Sequence, residues 1–438
     1  MKLIHAIAVL GMAATVAACE KEIILEGDRI DPRDVLSGAD MAEAPPVPLQ
    51  VALSLPGQVA NADWPQRAGG PSHALVNAAI GDGLTQQWAA SIGQGSDRKH
   101  KVSASPVVAS GRIMTLDSRA RVTATGVNGA TLWQADLTPA ADRADDASGG
   151  GLAAADGKVF VTTGFSQLVA LDAATGNTLW VQKFDAAVGG APTVSEGVVY
   201  VVARDASSWA IDANTGKVIW QLPGVPGRAA MMGVSAPAVT DKAVIFPYSG
   251  GELAAALKKG GLPMWQSAVP GARPGRAYAS ISDLTGDPVV TGGTVYAGSS
   301  AGKLSAIDLE TGERVWTATE GATAPVQVAG GSIFAVTDEG RLVRLSASDG
   351  AEIWAVELPY YVKDKIKKQQ RIHVHYGPVL AGGKLFVASS DGLLRVYDPA
   401  SGAQIGSAEI PGGAAAAPVV AGRTLYVVTA AGKLLAFR

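Results

Sequence analysis

The sequence predicts an all-β fold. It is an eight-bladed β-propeller of four-stranded antiparallel blades, closed by an N-terminal strand set beside the C-terminal strands in a three-plus-one blade. Three observations carry this expectation. A glycine is followed four residues later by a tryptophan at Gly129/Trp133, Gly176/Trp180, Gly216/Trp220, Gly261/Trp265, Gly312/Trp316 and Gly350/Trp354, and the register recurs at Gly402, where position 406 is glycine. A proline opens a short apolar run at Pro106, Pro192, Pro237, Pro288, Pro325, Pro378 and Pro418, with Leu152 in the remaining unit. The 438 residues include 53 glycines and 24 prolines but only 17% charged residues, a balance that suits many tight turns between buried strands.

Each unit resolves into four strands between these anchors. The best preserved reads Ala191-Pro192-Thr193-Val194, Gly197-Val198-Val199-Tyr200-Val201, Ala210-Ile211-Asp212, and then Thr215-Gly216 leading to Trp220. β-Branched runs parted by Gly or Asp turns, four per unit of ~40–50 residues, are the pattern of a propeller blade. The turn before the fourth strand is Asp-x-x-Thr-Gly at Asp172–Gly176, Asp212–Gly216 and Asp308–Gly312, with a looser copy at Asp398–Gly402. Its Asp can accept backbone N–H bonds and its Gly tolerates positive φ. Trp88, Trp133, Trp180, Trp220, Trp265, Trp316 and Trp354 are expected to lie over these turns and lock one blade against the next. The last unit starts at Pro418 and stops at Arg438 without a fourth strand, whereas Gln86-Gln87-Trp88 has no strands before it. Joining the two removes the open edge.

The N-terminus divides differently. Residues 1–18 have one positive residue, Lys2, and then a small apolar run, too short to span a bilayer as a helix. The run ends in Val16-Ala17-Ala18-Cys19. This resembles the lipobox of bacterial lipoproteins and implies a signal peptide over 1–18, lipid acylation of Cys19, and, with Glu20 rather than Asp following, sorting to the periplasmic face of the outer membrane. Loss of 1–18 removes Lys2 and takes the formal net charge from −3 to −4. Residues 19–62 read as a flexible tether that could reach over ~100 Å when extended, and 63–438 as the propeller.

Several function classes are disfavoured. A net charge of −3 gives no basic surplus for a nucleic-acid binder. His373 and His375 share one strand face but lack the further ligands of a zinc site, and an exposed polar strand edge is the expected setting. Cys19 is the only cysteine, so the mature domain has no disulfide and no thiolate chemistry. No catalytic, cofactor-binding or metal residues are assigned.

The Ala-x-Asp-x-x-Thr-Gly-x-x-x-Trp repeat resembles that of the quinoprotein dehydrogenases, which bind pyrroloquinoline quinone, and equally that of the BamB family of outer-membrane assembly lipoproteins. The first resemblance implies a quinone held between a Trp and a vicinal disulfide, with Ca²⁺ on carboxylates. One cysteine cannot form that disulfide, and six to eight oxygen ligands are not found among the inner strands. The second, joined to the lipobox, implies a non-catalytic scaffold of the barrel-assembly complex without a cofactor. It would bind the POTRA region of BamA and other lipoproteins of the complex, with unfolded outer-membrane proteins as a further expected partner. The alternative is a periplasmic quinoprotein dehydrogenase.

Partner contacts are expected on the loops between blades. The longest such gaps are 265–288 and 354–378. The first holds Arg273, Arg276, Tyr278 and Asp283, and the preceding connection holds Arg228, Met231 and Met232. Arg, Tyr and Met are favoured at interface centres. The BamB resemblance implies that Asp283 contacts BamA, while Thr285 stands where relatives carry a second acid. The 354–378 gap carries a basic loop, 363–371.

Overall fold

A computed structural model describes residues 51–81, 83–224, 235–269, 271, 273, 284–363 and 365–438. Eight four-stranded antiparallel sheets form the propeller. Blades 1 to 7 span residues 107–136, 150–183, 193–222, 238–268, 289–318, 327–357 and 375–409, each with its four strands in chain order. Blade 8 takes three strands from 419–437 and its fourth from Gln86–Ser91, which pairs with Lys433–Phe437. The three-plus-one closure is therefore present as expected. The prolines precede or begin the inner strands, except Pro378, which lies inside His375–Ala381 at a register shift.

Apolar clusters fill the spaces between successive blades. Val159 and Val161 of blade 2 pack with Met114 and Val122 of blade 1, and the same alternation repeats around the disc to Leu425 and Val427 of blade 8. Low overall charge follows, because both faces of most strands are covered.

The tryptophans reach forward by one blade. Each indole N–H donates to a carbonyl in the next blade: Trp88 to Val127 (3.0 Å), Trp133 to Ala173 (3.1 Å), Trp180 to Ala213 (3.2 Å), Trp220 to Lys258 (3.3 Å), Trp265 to Leu309 (2.8 Å), Trp316 to Ala347 (3.1 Å) and Trp354 to Pro399 (3.2 Å). The ring lies on the next blade's turn glycine. At Gly176, φ is +76° and a Cβ would sit 2.6 Å from Cε3 of Trp133. Glycine is required there twice, by backbone angle and by the indole. Asp172 closes the same turn, its Oδ1 accepting from the N–H groups of Ala174 (3.1 Å) and Thr175 (2.8 Å).

Residues 61–81 make a complete circuit of the inner strands. Asn61 Nδ2 donates to the Val420 carbonyl of blade 8 (2.6 Å). Trp64 exchanges two backbone bonds with Val108 of blade 1 (2.8 Å each), and Ala154 of blade 2 donates to the Pro65 carbonyl (2.7 Å). Both ends of the Gln66 amide hold Val194 of blade 3, accepting from its N–H (2.7 Å) and donating to its carbonyl (2.9 Å). Val239 of blade 4 donates to Pro71 O (2.7 Å), and Val290 of blade 5 to Ser72 O (2.9 Å). Gln327 of blade 6 donates to Leu75 O (3.0 Å), Ala78 donates to Leu380 O of blade 7 (3.2 Å), and Gly81 returns to Arg423 O of blade 8 (3.1 Å). The cause is general: an innermost strand is an edge with unpaired backbone groups, and eight blades present eight such edges to the centre. The segment supplies partners to backbone groups of seven of them, and at blade 6 the Gln327 side chain bonds to it instead.

The part of the expected tether that is described, 51–62, also lies on the propeller. Leu53 and Leu55 pack against the cluster between blades 6 and 7, and Ala52 O accepts from Arg344 Nη2 (3.4 Å). These leucines alternate with polar or small residues over only a few positions, which leaves little periodicity to read.

Candidate interaction face

In an up-and-down blade, the turns between strands one and two and between three and four share a face; the inter-blade connections emerge on the other. The two ends of the 61–81 segment reach the first, touching the turns at Ser110, Gly382 and Gly422. The described parts of the predicted partner loops, at Arg273, Leu284 and the 358–374 connection, lie on the second. Of their residues, Arg228, Met231, Met232, Arg276, Tyr278 and Asp283 fall outside the described residues, as does Cys19.

Arg273 is described, and its guanidinium is engaged within the chain. Nε is 2.5 Å from Asp338 Oδ2, Nη2 is 3.0 Å from Asp338 Oδ1, and Nη2 donates to Thr319 O (3.2 Å). Burial lowers the Arg273 pKa, but Asp338, Glu339 and Glu320 outweigh it and hold the group more firmly protonated than a free arginine. Glu320 lies between two arginines, accepting from Arg341 at 2.5 Å; its burial nevertheless raises its pKa. Arg273 thus pairs with the second turn of blade 6. Leu284 bridges Ser299, and Thr285 donates to Ala322 O (2.8 Å), so the C-terminal end of the 269–284 connection is anchored.

The 358–374 connection is built as a short protruding ribbon. Tyr361 pairs with Ile372, Val362 N–H donates to Arg371 O (3.0 Å), and a 3-10 turn covers Ile366–Lys368. Its base is fixed by Tyr360 packed over Gly340, where a Cβ would lie 2.8 Å from the ring, and by the perpendicular Tyr360–Tyr361 pair at 4.9 Å. Its tip exposes Ile366 and Val362 among Lys363, Lys365, Lys367 and Lys368. Apolar and cationic groups held out together on a fixed ribbon can meet an acidic protein surface with an apolar centre.

His375 corrects the expectation of an exposed edge. It is buried, with Nδ1 2.7 Å from Ser389 Oγ and Nε2 2.8 Å from Pro359 O, because it opens the inner strand of blade 7 and faces the second strand rather than solvent. Both ring nitrogens are occupied, and burial lowers its pKa.

The circuit of 61–81 was missed by repeat reasoning, and with it a buried polar group. Arg67 pairs with Asp287, which also accepts from Ala236 N–H (2.8 Å), and His73 Nδ1 lies 2.9 Å from Pro288 O. Trp64, outside the Gly-Trp register, was the available signal.

A quinone site does not fit these residues. The only cysteine is Cys19. Among the described residues no group of three or more His, Cys, Asp or Glu could hold a metal ion, and the inner-strand edges facing the centre are bonded to 61–81.

The fold therefore defines a tryptophan-locked propeller of the PQQ-like repeat class. Within that class the chain belongs to the BamB family: the family model described as outer membrane protein assembly factor BamB matches residues 118–356 and 364–438. It is similar to the assembly factor of that name from Salmonella typhimurium, 33% identical over 242 residues, covering 54% of this chain and 62% of the relative. It is also similar to that from Legionella pneumophila, 25% identical over 200 residues, covering 46% and 49%. The chain thus spans about half to three-fifths of the length of these relatives. The crystal structure of BamB from Moraxella catarrhalis aligns with a TM-score of 0.65 at 21% identity, over 81% of this chain and 99% of that one. The quinohemoprotein alcohol dehydrogenase of Comamonas testosteroni aligns with a TM-score of 0.65 at 17% identity, over 86% and 80%. Equal scores at such identities describe the shared fold and do not separate the two activities.

Proposed function

We propose that this protein is a non-catalytic scaffold lipoprotein of the outer-membrane β-barrel assembly machinery. It is anchored through Cys19 to the periplasmic face of the outer membrane, binds the POTRA region of BamA, and assists the assembly and insertion of outer-membrane proteins. Membership of the BamB family carries this reading. The Val16-Ala17-Ala18-Cys19 sequence and the two fixed loop staples on the connection face support it. Residues 228–232 and 273–283 are the proposed contact region, with Asp283 central and Arg273 positioning the loop from within. The basic ribbon at 358–374 flanks them. Affinity purification of the full lipoprotein from detergent-solubilised envelopes tests the role: recovery of BamA is expected, and its consistent absence refutes the assignment. Metabolic palmitate labelling lost in Cys19→Ala tests the anchor separately.

A further inference from the structure

Seven seams of the propeller are closed by an indole, and the eighth is not. In blade 7 the strand register puts Phe386, Val396 and Gly406 where blade 3 has Tyr200, Ala210 and Trp220. The neighbour across the seam also differs. Blade 8 has no turn between its third and fourth strands, because they come from opposite ends of the propeller. Ile80, Gly81, Gly83 and Leu84 lie there instead. Between these two departures lies a cleft of about 200 Å³, with Ile80 and Leu84 on one wall, Phe386, Val396 and Gly406 on the other, and the exposed Lys384 in its lining.

The vacancy is not forced by the backbone. Gly406 is absent from the left-handed region, and a Cβ there would first meet Val396 at 3.8 Å, an ordinary contact. In the other seams the ring is in place, and a Cβ on the turn glycine it covers would run into the indole at 2.6–2.9 Å. The site therefore has the apolar floor of the other seams and room where their ring lies. Among the described residues Lys384 has no ion-pair partner; Asp82, between the lining Gly81 and Gly83, lies outside them.

We propose that this seam is a binding slot for a bicyclic aromatic ring of indole size carrying a carboxylate. The ring would enter from outside and occupy the place that tryptophan holds in the other seven seams; the carboxylate would meet Lys384. The ligand chemistry is an indole carboxylate, either a free small molecule or the terminal tryptophan of a peptide. The slot lies on the turn face, opposite the inter-blade loops, so it is independent of the partner role proposed above.

The test uses the full chain and defined probes. Fluorine NMR line widths of 5-fluoroindole-3-acetate are titrated first, followed by calorimetry with indole-3-acetate, N-acetyl-tryptophan and N-acetyl-tryptophanamide. Saturable binding is expected in wild type. Gly406→Trp should abolish it by filling the slot, and Gly406→Leu serves the same purpose if the tryptophan variant does not fold. The carboxylates should bind several-fold more tightly than the amide, a preference that Lys384→Gln should erase while leaving binding itself. Tighter binding of indole-3-acetate supports a free ligand, and tighter binding of N-acetyl-tryptophan supports a peptide terminus. No saturable binding by wild type, or undiminished binding in a folded Gly406→Trp or Gly406→Leu protein, overturns the proposal. Equal affinity for acid and amide overturns the role of Lys384.

Discussion

Removing the Gln66 amide should loosen the propeller from its centre. Gln66 is 5% exposed and Val194 4%. The side chain satisfies both the N–H (2.7 Å) and the carbonyl (2.9 Å) of Val194. In Gln66→Ala both groups lose their partner in a buried setting, each loss being worth about 1–3 kcal/mol, so the variant should be about 2–6 kcal/mol less stable. Unfolding entropy of about 2 cal/mol/K per residue, summed over a propeller of this size, gives about 0.8 kcal/mol per degree. The expected fall in Tm is therefore about 3–8 °C. Gln66→Glu keeps an acceptor for the N–H but sets a carboxylate against the carbonyl, and it should be at least as damaging. Thermal circular dichroism measures the shift, and amide exchange at Val194 localises it: protection there should fall in Gln66→Ala. Unchanged Tm together with unchanged Val194 protection would refute the view that 61–81 holds the inner edges.

Other outcomes follow from the same contacts. Trp354→Ala, which empties a 6% exposed site and leaves the Pro399 carbonyl unpaired, should cost about 3–5 kcal/mol, against about 1–2 kcal/mol for Trp354→Phe; thermal melts that show equal losses would contradict the indole hydrogen bond. A double-mutant cycle on Arg273→Ala and Asp338→Ala should give a coupling of about 1–3 kcal/mol, and strictly additive losses would deny the staple. Burial lowers the pKa of His73 and of His375 from the ordinary 6.5. As pH falls below that value the unfolded chain takes up protons that the folded chain refuses, so stability should drop from pH ~7 downward. His100 acts in the opposite sense, because the Asp145 carbonyl and then Asp97 raise its pKa. His100→Asn should therefore steepen the acid loss and His375→Asn should flatten it; melts across this range that show the reverse would refute the assignments.

The blades were legible because their causes are local and repeated. Gly312 and Trp316 stand four residues apart in one unit, and so do five other pairs. What that spacing does not reveal is that each indole serves the following blade, as Trp265 does at Leu309, 44 residues away. The circuit of 61–81 was not legible, since it bonds, through main-chain groups and through the Asn61, Gln66 and Gln327 amides, with inner strands that share no sequence spacing with it. Gln66 meets Val194 across 128 positions and Gln327 meets Leu75 across 252. On the connection face, Arg273 could be recognised as a basic loop residue, but its partner Asp338 lies 65 residues on, inside another blade's turn. His375 was misjudged for a similar reason. Its neighbour Val374 is exposed, and only the strand entry at 375 turns the imidazole inward.

The central claim is that the inter-blade loops make a docking surface for BamA. Its most direct test is co-purification of BamA with full-length lipoprotein carrying Arg276→Glu and Asp283→Arg, singly and together, each checked for a wild-type melting profile. Loss of BamA from folded variants is the predicted result; undiminished recovery by the double variant would contradict the claim.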